Sequence, residues 1–251
     1  MKLVFGCGYL GSRVAAAWRD AGHADSHVRR RNDRAEQFGA DGFQPVVADV
    51  TDPATLANLP QADTVLFAVG FDRTVGQTID EVYVDGVKHV LIALPDSVLR
   101  FIYISTTGVY GPADGNWVDE KTPTNPQRAG GRASLAAENV IRDHPLGDRA
   151  AILRLAGIYG PGRIPFLDDL RAGKPIAAPQ DGYLNLIHVD DAVQCVVGAE
   201  QAPGAVYCVS DGHPVVRAEF YREVARLIGA REPSFVTPPP DSPRAARAAS
   251  V

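Results

Sequence analysis

A doubly wound α/β fold with a mainly parallel sheet is predicted by three observations. Short apolar runs alternate with amphipathic stretches through most of the 251 residues. The first run, Lys2–Phe5, enters a glycine-rich turn that opens a helical pattern. No linker cleanly divides the chain, and no internal repeat recurs in it. Alternation of this kind implies right-handed βαβ crossovers, hence a parallel sheet with helices on both faces.

The elements follow in order. Gly11–Ala21 reads as a helix with Val14, Ala17, Trp18 and Ala21 on one face. Ser26–Val28 is a short strand, and Asp33–Phe38 a short helix capped by Asn32 or Asp33. Pro45–Ala48 is a strand, and Asp52 starts a poor helical segment. Thr64–Val69 is a strand. Thr78–Leu94 is a long helix, apolar at Ile79, Val82, Val87, Val90, Leu91 and Leu94. Phe101–Ser105 is a strand, Ser134–Arg142 a helix and Ala151–Leu155 a strand. Gly157–Pro165, rich in glycine and proline, reads as a loop. Phe166–Ala172 is a helix, Leu184–Ile187 a strand, Val189–Glu200 a helix, Val206–Val209 a strand and Arg217–Ile228 a helix. From Pro233 the chain carries a Pro238–Pro240 run and ends in RAARAASV, which predicts an extended, mobile tail. Residues 1–160 are expected to form the sheet domain, which a strand near 205–209 rejoins. Residues 161–251 are expected to form most of a small C-terminal subdomain that ends in this tail.

Composition narrows the classes. Hydrophobic residues make up 45% and charged residues 22%, which excludes a disordered chain, a coiled coil and a collagen. Lys and Arg number 25 against 30 Asp and Glu, a net charge of −5. A general nucleic-acid binder needs a basic surface, so no nucleic-acid partner is expected. No apolar run approaches the ~20 residues of a membrane span. The opening MKLVFGCGYLG lacks the apolar core of a signal peptide, so the cytoplasm is the expected location. Cys7, Cys195 and Cys208 show neither CxxC nor Cys/His ligand spacing, so no disulfide framework and no metal site is expected.

The chemistry starts at GCGYLG, where Gly6, Gly8 and Gly11 form Gly-x-Gly-x-x-Gly around Cys7, Tyr9 and Leu10. The motif follows a strand and opens a helix, the context in which it binds a dinucleotide. The first glycine permits the tight turn, the second lets a pyrophosphate reach the backbone, and the third lets helix pack on strand. The helix N-terminus adds free N–H groups and a positive dipole end. The bland alternative is an ordinary βα turn. The second strand runs into Val28, Arg29, Arg30 and Arg31, with no carboxylate until Asp33. An acid there would accept the ribose 2′-OH of NAD, whereas guanidinium forks suit the 2′-phosphate of NADP. NADP is therefore expected ahead of NAD, the alternative being a solvated basic turn. Ligands of open α/β sheets lie beyond the carboxyl ends of the strands. Those ends carry Asp49 and Val50, then Ala68, Val69 and Gly70, then Ser105, Thr106, Thr107 and Gly108. All but the last three are assigned to the cofactor.

Together, GCGYLG at 6–11, ADVTD at 48–52, FIYISTTGVYG at 101–111, LRLAGIYGPG at 153–162, LIHVDDA at 186–192 and YCVSDG at 207–212 resemble one family. It is the extended branch of the short-chain dehydrogenase/reductase superfamily, the branch of nucleotide-sugar epimerases and dehydratases. The resemblance implies a Rossmann-type domain that holds NAD or NADP and a small C-terminal domain that holds the substrate. It also implies a Ser or Thr, here Thr106, working with a Tyr-x-x-x-Lys pair. That pair should precede Leu135-Ala136-Ala137-Glu138, which puts Gly130 at the Tyr position and Ser134 at the Lys position. No tyrosine of the chain has a lysine four residues later. Gly130 cannot transfer a proton, and Ser134 cannot supply the cation that depresses a phenol's pKa.

Several residues remain as candidates, each with two readings. Thr106 hydrogen-bonds a substrate carbonyl or merely caps the strand end. Tyr110 assists catalysis or is a packed aromatic. Arg132 has a fixed charge and could hold the ribose, an oxyanion or substrate, but cannot act as an acid. Arg154 and Arg163 flank the loop where relatives hold a phosphorylated substrate; Arg163 takes a phosphate or carboxylate or is a surface arginine. His188 contacts substrate or joins the two domains, with Asp190 capping the next helix; with Asp191 the three do not make a metal triad. Cys7 is a small buried residue or a thiol activated by the helix N-terminus.

Two functions fit. One is an atypical NADP-dependent oxidoreductase or epimerase acting on a small polar substrate, a sugar nucleotide among the candidates. The other is a dinucleotide-binding sensor, regulator or assembly module that has lost catalysis. Relatives often pair through two long helices, here Thr78–Leu94 and Ser134–Arg142, whose apolar residues serve either a homodimer or the core.

Overall fold

The structure is a computed structural model and describes residues 1–23, 25–29, 44–111 and 115–237. Its strands are β1 (Lys2–Phe5), β2 (Asp25–Arg29), β3 (Gln44–Val47), β4 (Thr64–Phe67), β5 (Arg100–Thr106), β6 (Ala150–Leu155), β7 (Gly157–Tyr159), β8 (Ile176–Ala177), β9 (Tyr183–Leu184), β10 (Leu186–His188), β11 (Ala205–Val209), β12 (Val215–Val216) and β13 (Phe235–Val236). The α-helices are α1 (Gly11–Asp20), α2 (Gly86–Ala93), α3 (Ala129–Arg142), α4 (Leu167–Arg171), α5 (Val189–Gly198) and α6 (Arg217–Leu227). The Asp33–Phe38 helix, Arg30 and the tail from Pro238 lie outside the described residues.

Seven strands form one parallel sheet in the order β11-β6-β5-β4-β1-β2-β3. The central strands β1, β4 and β6 are buried along their whole length, as parallel strands covered on both faces must be. Alternate side chains feed two cores. Leu3, Phe5, Val65, Phe67, Phe101 and Tyr103 join Val87, Val90 and Leu91 of α2 and Ala137 and Ile141 of α3. Val4, Leu66, Ile102, Leu153 and Leu155 join Val14, Ala15 and Trp18 of α1 and Val189, Val193 and Val196 of α5. The predicted Rossmann-type arrangement is therefore present, and Ala205–Val209 rejoins the sheet beside β6 as expected. The strand order reverses at β1, which has β2 on one side and β4 on the other. A ligand crevice belongs at that switch point.

A third, smaller cluster lies outside the sheet. Leu170, Ile176, Ala178, Tyr221, Val224 and Ala225 pack α4 and α6 together with the β8 region. No helix of the described residues is long and apolar enough to cross a membrane.

Four local expectations are corrected. The 78–94 helix is not regular: Thr78 and Glu81 form a capping box, and Glu81–Asp85 make a π-helical turn before α2. A side chain at Gly86 would meet Val50 Cγ2 at 2.9 Å, so helix and β3 exit lie in close contact there. Gly157–Pro165 is not wholly loop, because β7 pairs with β10. The strand expected at 184–187 splits at Asn185, with Tyr183–Leu184 pairing β12 and Leu186–His188 pairing β7. The tail is not free from Pro233: Phe235–Val236 pairs in parallel with Ile176–Ala177. In the last three cases the partner is a separate strand, so the pattern of each segment carried no sign of it.

Trp18 is 1% exposed, and its indole N–H donates to Glu200, which also binds Lys2 at the start of β1. Trp18→Ala should therefore lower unfolding free energy by about 3–5 kcal/mol. Denaturant titration monitored by far-UV circular dichroism checks this, and a loss under about 1 kcal/mol would contradict the packing described.

Candidate dinucleotide and substrate site

The glycine turn is built as the motif predicts. Gly6 has φ +89°, and a Cβ there would lie 2.5 Å from the backbone of Ala68 and Val69. A Cβ on Gly11 would lie 2.2 Å from the Gly6 carbonyl oxygen. No other residue fits either position, so strand, turn and helix can approach only through glycine. Leu10 occupies the N-cap of α1 and offers no capping side chain, and the Ser12 and Arg13 N–H groups go to the Gly8 and Leu10 carbonyls at 3.1 and 3.0 Å. Above the turn is a cleft of ≈ 470 Å³ lined by Gly6, Cys7, Gly8, Val28, Asp49, Val50, Val69, Gly70 and Val82, among others. This volume lies within the usual range of ligand sites.

The remaining cofactor candidates divide. Asp49 is held by Thr51, whose backbone N–H and hydroxyl donate to Oδ1 at 2.9 and 2.7 Å. Leu10 belongs to the core under α1, and Ala68 packs against that core. Arg29 ends β2 opposite Val47, at the carboxyl edge of the sheet. Its side chain and the whole of Arg30 lie outside the described residues. Tyr9 reaches across to the loop after β7, its hydroxyl donating to the Pro161 carbonyl at 3.0 Å.

Ser105 faces a buried polar network rather than the cleft. Its hydroxyl donates to Glu138 Oε1 at 2.6 Å. Glu138 is wholly buried and receives Arg154 Nε at 3.0 Å and Nη2 at 2.7 Å. Arg142 adds a further contact at 2.6 Å. Arg154 in turn donates through Nη1 to the Tyr110 hydroxyl at 2.8 Å, and that hydroxyl lies 2.9 Å from Cys208 Sγ. Burial pushes the Tyr110 phenol well above its usual pKa, and the Cys208 contact adds to this, while Arg154 opposes it. Burial likewise raises the Cys208 thiol. Tyr110 is thus 5% exposed with both hydroxyl partners internal, the geometry of a packed aromatic rather than a proton donor to substrate. Arg154 is part of this network and not of the loop surface.

Thr106 ends β5, and its Oγ1 accepts the Gly108 N–H at 3.1 Å. Gly130 and Ser134 lie on α3, which begins at Ala129 rather than Ser134. They are therefore about one turn apart, as a Tyr-Lys pair would be. Ser134 is 4% exposed and lies beside the Tyr103 phenol. Arg132 is exposed, and its Nη1 donates to the Gln127 carbonyl at 2.7 Å. The cation beside Thr106 is instead Arg128, the N-cap residue of α3. A Cβ built on Gly108 would lie 3.3 Å from Thr106 Oγ1 and 3.4 Å from Arg128 Nη2. Arg128 also lines a ≈ 70 Å³ cavity with Thr107, Gly108, Gly111 and Gln127. Sequence reasoning missed Arg128, which has no motif, and used Glu138 only as a landmark. Glu138 did carry a signal: it falls on the apolar stripe of α3, just as Arg154 is the lone charge in AAILRL.

On the far side, His188 itself is the N-cap of α5, its Nδ1 accepting the Asp190 N–H at 3.3 Å. Asp190 is therefore a first-turn acid, not the cap that the sequence suggested, because α5 already starts at Val189. The His188 ring meets Tyr159 edge-on with centroids 5.3 Å apart. Arg163 is exposed, its Nε donating to Ile158 O at 3.2 Å. Among the described residues, no group of three or more His, Cys, Asp or Glu could hold a metal.

Comparison with known proteins now decides the family. Residues 3–208 match the NAD dependent epimerase/dehydratase family. The chain belongs to that family. It is 32% identical over 241 residues to Protein YeeZ of Escherichia coli K12, covering 92% of this chain and 85% of that one. It is 27% identical over 226 residues to short-chain dehydrogenase/reductase family 42E member 1 of Danio rerio, covering 76% of this chain and 58% of that one. Among solved structures, the Bordetella bronchiseptica enzyme WbmG in complex with NAD and UDP superposes with a TM-score of 0.82. That match is at 22% identity over 97% of this chain and 83% of WbmG, and it speaks for the fold alone.

Tyr103 is raised chiefly by burial and Tyr110 likewise, so both stay neutral in the folded state where the unfolded chain ionises them. Stability should be full below about pH 10, the ordinary tyrosine value, and fall as pH rises above it. Denaturant midpoints between pH 8 and 11.5 test the sign. Tyr110→Phe should make the fall shallower; an unchanged slope would mean the phenol ionises freely in the fold.

Proposed function

We propose that the chain binds a nicotinamide dinucleotide in the cleft over the glycine turn. NADP is preferred to NAD, and the protein acts as an atypical oxidoreductase or epimerase on a small polar substrate. The observation that carries the reading is the glycine-only turn, with Gly6 and Gly11 admitting no Cβ, opening an uncapped helix beneath a ≈ 470 Å³ cleft. These features fit a diphosphate: a turn bare of side chains and a positive helix end let negative oxygens come to close range. A nicotinamide ring, when bound, supplies hydride transfer. The preference for NADP rests on Arg29 at the carboxyl end of β2 and on Arg30 after it. Family kinship supports the cofactor class, and the fold neighbour WbmG was solved with NAD and UDP.

On the substrate side, the chain offers Thr106 to hydrogen-bond a carbonyl or hydroxyl, and Arg128 as a fixed positive charge beside it. Neither exchanges a proton readily near neutral pH. With Gly130 and Ser134 where the resemblance puts Tyr and Lys, and with Tyr110 committed to Arg154 and Cys208, we assign no general acid among the described residues. That observation favours a second reading, a dinucleotide-binding sensor or assembly module without turnover.

Titration with NADPH and NADH, followed by nicotinamide fluorescence, tests the first claim. NADPH should bind at least tenfold more tightly than NADH, and Arg29→Ala should remove most of that difference. Equal affinities in the unaltered protein would overturn the preference, and no binding of either would overturn the dinucleotide reading.

Turnover separates the two functional readings. An oxidoreductase or epimerase should convert a polar carbonyl or sugar-nucleotide substrate with dinucleotide present, and Thr106→Val should cut kcat about 10²-fold or more. Cofactor binding with no turnover across such a screen, and a partner whose affinity changes with the cofactor, would establish the module.

A further inference from the structure

Two arginines converge on one tyrosine at the mouth of the glycine turn. Tyr9 lies inside the motif, Arg13 in the first turn of α1, and Arg163 in the loop after β7. The guanidinium carbon of Arg13 is 4.1 Å from the Tyr9 ring centroid, and that of Arg163 is 5.1 Å. These distances put the two charges no more than about 9 Å apart.

All three side chains are fixed by backbone. Tyr9 donates to the Pro161 carbonyl, Arg13 Nη1 donates to the Tyr9 carbonyl at 2.6 Å, and Arg163 Nε donates to the Ile158 carbonyl at 3.2 Å. Each of these bonds occupies one of the five N–H donors of a guanidinium and leaves the others available. Among the described residues, no carboxylate lies within ion-pair distance of Arg13 or Arg163. Two like charges are thus held near each other on one ring without a counter-ion among the described residues. They flank a turn whose helix end is itself positive and uncapped. Packing alone does not call for that arrangement, since like charges repel.

We infer that Arg13 and Arg163 form a clamp for a phosphate group at the glycine turn, with Tyr9 as the post on which both arms rest. Guanidinium forks match phosphate oxygens in pairs, which an ammonium does not. Arg13 belongs to the sheet domain, while Arg163 lies beyond β7, so a bound phosphate ties the glycine loop to the segment that follows the sheet. The inference rests on the dinucleotide reading and sharpens it. The phosphate comes either from the diphosphate of the dinucleotide or from a phosphorylated substrate.

Isothermal titration of the full chain separates the sources. The probes are NADPH, inorganic pyrophosphate, and pyrophosphate added to protein saturated with NADPH. The variants are Arg13→Gln, Arg163→Gln, the double variant and Arg163→Lys, each first checked for an unchanged melting curve.

If the cofactor diphosphate is the ligand, the double variant loses at least tenfold in NADPH affinity, and pyrophosphate competes with NADPH. If a substrate phosphate is the ligand, NADPH affinity stays, and pyrophosphate binding to the saturated protein is lost. In both cases the dependence on salt becomes shallower in the double variant, and Arg163→Lys restores only part of the loss. Glutamine variants that bind both probes normally overturn the clamp and leave the dinucleotide reading standing. Unaltered protein that binds pyrophosphate through these arginines but no dinucleotide keeps the clamp and overturns that reading. Binding of neither probe overturns both.

Discussion

Glu138 has no exposure to solvent, and its charge must be met from inside the protein. A buried carboxylate left alone is costly, so the chain surrounds it with Arg154, Arg142 and Ser105. These partners come from β6, from α3 itself and from β5. The contact therefore locks a helix against two adjacent strands at the carboxyl end of the sheet. Through Arg154 the same network reaches Tyr110 and then Cys208 of β11. The strand end that carries Thr106 is thus held rigid from beneath. Removing one partner would leave the others charged and dry, a loss of about 3–5 kcal/mol in comparable pairs.

The rigid frame lies at the carboxyl end of the sheet, where the cleft over the glycine turn also opens. Where the strand order reverses at β1, the described residues beside the cleft include the glycine turn and the loops after β3 and β4. Gly6 touches the backbone of Ala68 and Val69, so the β1 and β4 exits are drawn together under the cleft. Van der Waals contact of backbone on backbone sets that spacing, and it is why the motif tolerates so little change.

On the opposite wall, Gly130 and Ser134 lie about one turn apart on α3, and Arg128 and Arg132 are the charges nearby. Arginine holds anions and does not give up protons. The site is therefore better suited to gripping phosphates and carbonyl oxygens than to moving protons. Tyr110 does not reverse this, because its hydroxyl is turned to internal partners and its ionisation is suppressed by burial.

Much of this was legible in the residues. GCGYLG between an apolar run and an amphipathic stretch specifies a glycine turn, because only glycine accepts φ +89° and backbone contact at Gly6 and Gly11. The alternation of runs specifies the parallel sheet, because each burial period has one way to be satisfied. Local pattern could not show what depends on partners far along the chain. The pairing of Phe235–Val236 with Ile176–Ala177 is of that kind. So are the split at Asn185, the arrival of Arg128 beside Thr106, and the stacking of Arg13 and Arg163 on Tyr9. Glu138 and Arg154 appear in the sequence as two charges in apolar surroundings 16 residues apart. Only the packing of α3 on β6 reveals that each is the reason the other can be buried.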